Sequence, residues 1–107
     1  MSYKSKFYKA CLEGYLQIIE KMIIKGSNDF DWNNALYYYA CGKGRMEIVE
    51  LMIEKGATDW NWILEGACLG GHIHIVELMI EKGATSWDWG LRYAGVGGHL
   101  HIVELMI

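Results

Sequence analysis

The chain has 107 residues, 52% of them hydrophobic, with five Trp and seven Tyr. That is enough apolar surface to bury the core of one small domain, and it excludes disorder by composition. The net charge of −3 is too slight for a duplex nucleic-acid binder, which needs a basic face. No apolar stretch approaches the roughly 18 residues of a membrane helix, and the opening MSYKSKFYKAC lacks the apolar run of a secretory signal.

One hexapeptide organises the rest. IVELMI occurs as Ile48–Ile53, Ile75–Ile80 and Ile102–Ile107, and a looser IIEKMI runs from Ile18 to Ile23. Lys-Gly follows at Lys25-Gly26, Lys55-Gly56 and Lys82-Gly83. The step from Ile48 to Ile75 and on to Ile102 is 27, and Trp60 to Trp87, Ala67 to Ala94 and His72 to His99 repeat it. The first interval is 30, from Ile18 to Ile48 and from Ala10 to Ala40. This assigns the three extra residues to the segment between Gly26 and Ala40. A fixed step marks a stacked repeat array, here one array over 1–107, with repeats at about 3–28, 29–57, 58–84 and an incomplete 85–107.

In the first repeat, Tyr3, Phe7, Ala10 and Cys11 precede Gly14 and the helix at Ile18–Ile23. Through Lys25 there are five lysines against Glu13 and Glu20, giving +3 and leaving −6 for the remainder. The expectation here is a solvated end cap. The second repeat has Leu36, Tyr37, Ala40 and Cys41, then Gly44; its longer SNDFDWN predicts a bulged loop.

The third repeat is the clearest. Trp60, Ile63, Leu64, Ala67 and Cys68 fall on one helical face. Thr58 or Asp59 is the predicted N-cap, and Gly70-Gly71 ends the helix. A second helix is predicted from His72 or Ile73 to Lys82, with Gly83 in the left-handed position past its end. That second helix is apolar nearly all round, with one stripe of His74, Glu77 and Glu81. Such a pair cannot stand alone, but a stack can. The second helices are therefore expected to form the scaffold, and the first helices to present variable contacts.

The fourth repeat follows the same frame with Trp87, Leu91, Ala94 and Gly97-Gly98-His99. It reaches Ile107 without a Glu-Lys-Gly end, so its outer surface is apolar. This raises a longer array, or self-association through Ile102–Ile107 within a larger assembly, as alternatives.

The run from Ala67 to Ala84, ACLGGHIHIVELMIEKGA, resembles the second half of an ankyrin repeat. The matching positions are Ala67, Gly71, His72, Ile75, Val76, Met79, Ile80, Gly83 and Ala84. They recur at Ala94, Gly98, His99, Ile102, Val103, Met106 and Ile107, and less fully at Ala40, Gly44, Ile48, Val49, Met52, Ile53, Gly56 and Ala57. The repeats are shorter than the ankyrin length of about 33, and Trp62-Ile63-Leu64-Glu65 replaces the Thr-Pro-Leu-His opening. The resemblance implies an all-α ankyrin-like solenoid with its hairpins reduced to short loops, and a non-catalytic protein-binding role. The Trp-rich D-W-N-W opening is similar to that of short ankyrin-like repeats from giant DNA viruses.

Candidate chemistry is thin. His72 with His74, and His99 with His101, are two residues apart and do not face one another on a helix. Equivalent histidines a helix spacing of about 8–10 Å apart cannot share a zinc. The resemblance makes His72 a structural residue bonding backbone in its turn. Gly70-Gly71 and Gly97-Gly98 lack the spacing of a phosphate loop. Ser27, Thr58 and Ser86 lie where helix caps belong, and no nucleophile, base and orienting group come together. Cys11, Cys41 and Cys68 fall at one repeat position and read as buried free thiols in a reducing compartment. No enzymatic activity, metal or cofactor is expected.

What remains is a surface. Trp60 and Trp87 are predicted to point into the stack. Trp62 and Trp89 lie on the other side of the first helix, with Glu65 or Arg92 and Leu69 or Val96 below them. The corresponding stripes are Ala35, Tyr38 and Gly42 in the second repeat, and Ser5, Tyr8 and Leu12 in the first. In an ankyrin-like stack this side lines the concave groove. Between the third and fourth repeats IVELMI is constant while Glu65 becomes Arg92, Gly66 becomes Tyr93 and Leu69 becomes Val96. Aromatics and Arg are common anchors of protein interfaces. The candidate partner-binding residues are therefore Tyr8, Tyr38, Tyr39, Trp62, Glu65, Leu69, Trp89, Arg92, Tyr93 and Val96, with Tyr37 assigned to the core.

Overall fold

The computed structural model describes residues 2–25 and 30–107. Among the described residues the chain forms eight helices and no strand: α1 (Tyr3–Glu13), α2 (Leu16–Lys25), α3 (Trp32–Cys41), α4 (Met46–Lys55), α5 (Trp60–Gly70), α6 (Ile73–Glu81), α7 (Trp87–Val96) and α8 (Leu100–Met106). The first half of the SNDFDWN segment and the cap assigned to Ser27 lie outside the described residues.

Local chemistry sets the helix ends. Asp31 accepts from the Asn34 amide and Asp59 from the Trp62 amide, each three residues into its helix, which satisfies one of the orphan N–H groups of the first turn. Gly71 ends α5 at a φ of 79°, in the left-handed region where only glycine is unstrained. The core is continuous along the stack, from Phe7 and Ile19 through Leu36 and Met52 to Ile63, Leu64, Ile75, Met79 and Ile102. Phe30 seals the first junction, stacked on Phe7 at 3.9 Å and meeting Trp32 edge-on at 5.7 Å.

The four helix pairs stack side by side over a length of 42 Å. Backbones come closest in the first-helix layer: α3 lies against α1 and α5, and α5 against α7, whereas the backbones of α4, α6 and α8 stand further apart. The IVELMI helices still supply much of the core, with Ile75, Val76 and Met79 fully buried, but their backbones are spaced more widely than those of the first helices. The cause is side-chain size. A Cβ on Gly42 would lie 2.0 Å from the Leu12 carbonyl oxygen, and one on Gly70 2.3 Å from that of Ala40. Glycine lets these backbones meet, while the second helices are held apart by Ile, Leu and Met.

The repeats also differ in register. The capping aspartates Asp31 and Asp59 are 28 apart, and so are Ala35 and Ile63, both fully buried, and Leu36 and Leu64, likewise buried. Yet the second helices keep the step of 27. The turn between α3 and α4 holds four residues, Gly42 to Arg45, where that between α5 and α6 holds Gly71 and His72. So one of the three extra residues follows α3 instead of preceding Ala40. One residue turns a helix by about 100°, which changes which side chains of α3 face out.

Candidate partner-binding face

The outward side of the first-helix layer carries a run of rings. Tyr8 of α1 lies 6.2 Å from Tyr38 of α3, and Tyr38 meets Tyr37 edge-on at 5.6 Å. Tyr37 stacks on Trp62 of α5 at 4.4 Å with the planes 12° apart. On α7, Trp89 stacks on Tyr93 at 6.1 Å, and the Arg92 guanidinium sits 4.9 Å from the Trp89 ring centre.

Backbone packing makes room for these rings. A Cβ on Gly66 would be 2.9 Å from the Tyr37 ring, so the missing side chain at Gly66 is what lets Tyr37 lie across α5. Burial pushes the Tyr37 phenol up to about 12, with lesser contributions from Cys41, Tyr93 and Glu65. These neighbours tie α3, α5 and α7 together at one spot. Glu65 accepts from the Ser86 hydroxyl at 2.7 Å, and Tyr8 accepts from the Asp31 amide at 2.9 Å. Tyr8, at one end of the aromatic row, is thus held by a hydrogen bond. A depression of about 310 Å³ opens between Ser5, Tyr8, Lys9, Leu12 and Tyr38.

The residues predicted for this face fall into three groups. Tyr8, Tyr38, Trp62, Glu65 and Tyr93 are half-buried along the row. Arg92 and Trp89 are exposed, Trp89 by 52%; Val96, at 76%, stands at the end of α7. Leu69 is half-buried, and its carbonyl oxygen accepts from His99 Nε2 at 3.0 Å.

Tyr39 does not belong. It is fully buried, and its hydroxyl accepts from the Arg45 amide at 3.0 Å. Tyr37, assigned to the core, is on the face instead. Both errors come from the one-residue shift of α3, which puts Tyr37 where Glu65 stands and Tyr39 where Ala67 stands. Ala35, also placed on this stripe, is fully buried for the same reason. The tripeptide Asp-Trp-Asn at 31–33 and again at 59–61 carries the step of 28 and could have revealed it.

Other expected positions shift as well. Trp60 is half-buried with the Lys82 ammonium 5.3 Å from its ring centre, but Trp87, expected inward, is 41% exposed. Cys11 and Cys68 are buried, and burial raises both thiols from 9.0 to about 12. Cys41 is only half-buried, because the shift places it at the position of Leu69.

Two side-chain ladders join successive repeats. Asn33 Oδ1 accepts from the Thr58 and Asp59 amides at 2.7 and 2.9 Å. Asn61 does the same for Thr85 and Ser86 at 2.6 and 3.0 Å. His72 Nε2 bonds the Gly42 carbonyl as His99 does that of Leu69. A carbonyl can only accept, so Nε2 carries the proton in each ring. These histidines bond the preceding repeat, not their own turn. His74 is exposed, 3.4 Å from Glu77.

The arrangement presents a rigid amphipathic surface: flat rings to cover apolar groups, phenol hydroxyls at their edges, and one guanidinium at the far end. A family model for ankyrin repeats, in three copies, matches residues 7–88. The match covers more than half of the chain, which therefore belongs to the ankyrin-repeat family. Ankyrin repeats are in general protein–protein interaction modules. Comparison with curated proteins gives no match. No helix among the described residues is long and apolar enough to cross a membrane.

Proposed function

We propose that this chain is a non-catalytic scaffold that binds a protein partner on the outward, concave side of its first helices. The observation that carries the reading is the unbroken ring contact from Tyr8 through Tyr38 and Tyr37 to Trp62. Ordered aromatics on close-packed helices lose little conformational entropy when covered, and such rings with Arg are the usual anchors of binding energy. The variation between equivalent positions, Glu65 and Arg92 or Gly66 and Tyr93, supports a surface whose chemistry is set repeat by repeat while the fold is held elsewhere.

The test is capture of a partner by the tagged chain and by Tyr38→Ala and Arg92→Ala variants. A protein held by the wild type and lost from both variants, with melting temperatures unchanged within a few degrees, is the expected result. Retention by both variants, or loss through unfolding, would overturn the assignment.

A further inference from the structure

The outer side of the first repeat has a surface that the aromatic row does not use. Between α1 and α2 lies a hollow of about 600 Å³. Tyr3, Ala10, Tyr15, Ile18 and Met22 give it apolar lining, and Tyr3, Tyr15 and Ile18 are each about half exposed, at 47, 52 and 49%. Lys6, Lys9, Lys21 and Lys25 also line it, against the single carboxylate of Glu13.

Comparison with the inner repeats shows what has changed. The counterparts of Ile18 are Ile48, Ile75 and Ile102, all buried, and those of Met22 include Met52 and Met79, also buried. The first repeat thus keeps the apolar groups that inner repeats bury. At the positions around them it differs. Lys6 stands where Ala35, Ile63 and Gly90 are buried, and Lys21 where Leu51, Leu78 and Leu105 occur. A surface made only for solvation would be polar in the middle too. This one combines apolar side chains with four lysines.

We propose that this hollow is a second docking site, and that its occupant is an acidic amphipathic helix of a partner protein. A groove between two helices takes the apolar face of a third. The four lysines of the lining select for carboxylates on that helix and against basic ones. The 11 residues of α1 span about 16 Å at roughly 1.5 Å per residue, which sets an occupant of about three turns. The apolar lining favours leucine-like side chains over a phosphate backbone, and the concavity favours a helix over a flat bilayer.

The test uses fluorescence anisotropy with a labelled 14-residue peptide of Leu and Glu, leucines at i, i+3, i+4 and i+7. A second peptide has Lys for every Glu, and a third is a scrambled Leu/Glu sequence. The acidic helix is expected to bind at least tenfold more tightly than either control, and less tightly as salt is raised. Lys6→Glu with Lys21→Glu should weaken it at least tenfold, and Ile18→Ser severalfold, with circular dichroism confirming that each variant is folded. Arg92→Ala should leave it unchanged, which separates this site from the aromatic row.

Equal binding of all three peptides, no binding of any at about 200 μM protein, or indifference to the lysine changes would overturn the proposal. So would preferential binding to anionic phosphatidylserine vesicles. Sedimentation velocity covers the remaining occupant: a dimer lost on Ile18→Ser would assign the hollow to a second copy instead.

Discussion

Compare α5 with α6. The second is the most faithfully repeated stretch of the chain, yet its backbone stands further from its neighbours α4 and α8; the first drifts in sequence and its backbone comes close to both α3 and α7. Tight packing between like helices depends less on how apolar they are than on how near their axes can come. Gly42 and Gly70 allow that approach in one layer, and the branched side chains of IVELMI prevent it in the other. The close layer is also the one that carries the aromatic row. Its inner sides fix the stack, leaving the outer sides free to vary.

Glycine substitutions test this contrast most sharply. Gly70→Ala forces a Cβ to 2.3 Å from the Ala40 oxygen and 2.8 Å from that of Cys41, both backbone atoms that cannot swing away. Overpacking of this kind should cost about 2–3 kcal/mol, read as a lower urea midpoint. Gly83→Ala meets nothing within 4 Å but has a φ of 110°, so strain alone should cost about 1 kcal/mol. Gly95→Ala, with open space and no positive φ, should stabilise α7 by up to about 1 kcal/mol. The same methyl group would then act with opposite signs, and equal effects at all three positions would refute the close-approach account.

The ladders should come next in size. Asn61→Ala leaves the Thr85 and Ser86 amides to water, and His99→Ala removes the bond to Leu69. Each should cost about 1 kcal/mol. Thermal melts of the double variant would show whether the losses add.

The thiols report on the same packing more gently. Cys41 should react with a thiol reagent in the native protein well before Cys11 or Cys68, which the first-helix layer buries. Those two ionise near 9.0 in the unfolded chain and near 12 in the folded one. Folding therefore favours their neutral form, so stability is full below pH 9 and declines as pH rises from about 9 towards 12. Replacing both with Ala should flatten that decline in alkaline melts.

Much of the stack was legible because its causes are local. The all-round apolar pattern of IVELMI needs neighbours, glycine needs no strain at left-handed turns, and Asp59 caps the helix that follows it. Much of the face was legible too, since Trp62 and Glu65 on α5, and Trp89 and Arg92 on α7, lie three residues apart on one helical stripe in any frame. Tyr37 and Tyr39 were not. Aligning Ala40-Cys41 with Ala67-Cys68 pairs like with like but turns α3 by about 100°. In the structure Tyr39-Ala40 occupies that place. Small residues in succession make two registers look equally good, and only the packed neighbours separate them.

The sequence by itself determined that paired helices repeat along the chain and, in the third repeat, where α5 and α6 begin and end to within a residue. Periodicity, caps and glycine turns act over a few residues and need no partner. Tertiary structure decided which layer closes tightly, how α3 is rotated, and which tyrosine meets solvent. Those outcomes depend on how near one backbone can come to another, a distance that no single helix contains.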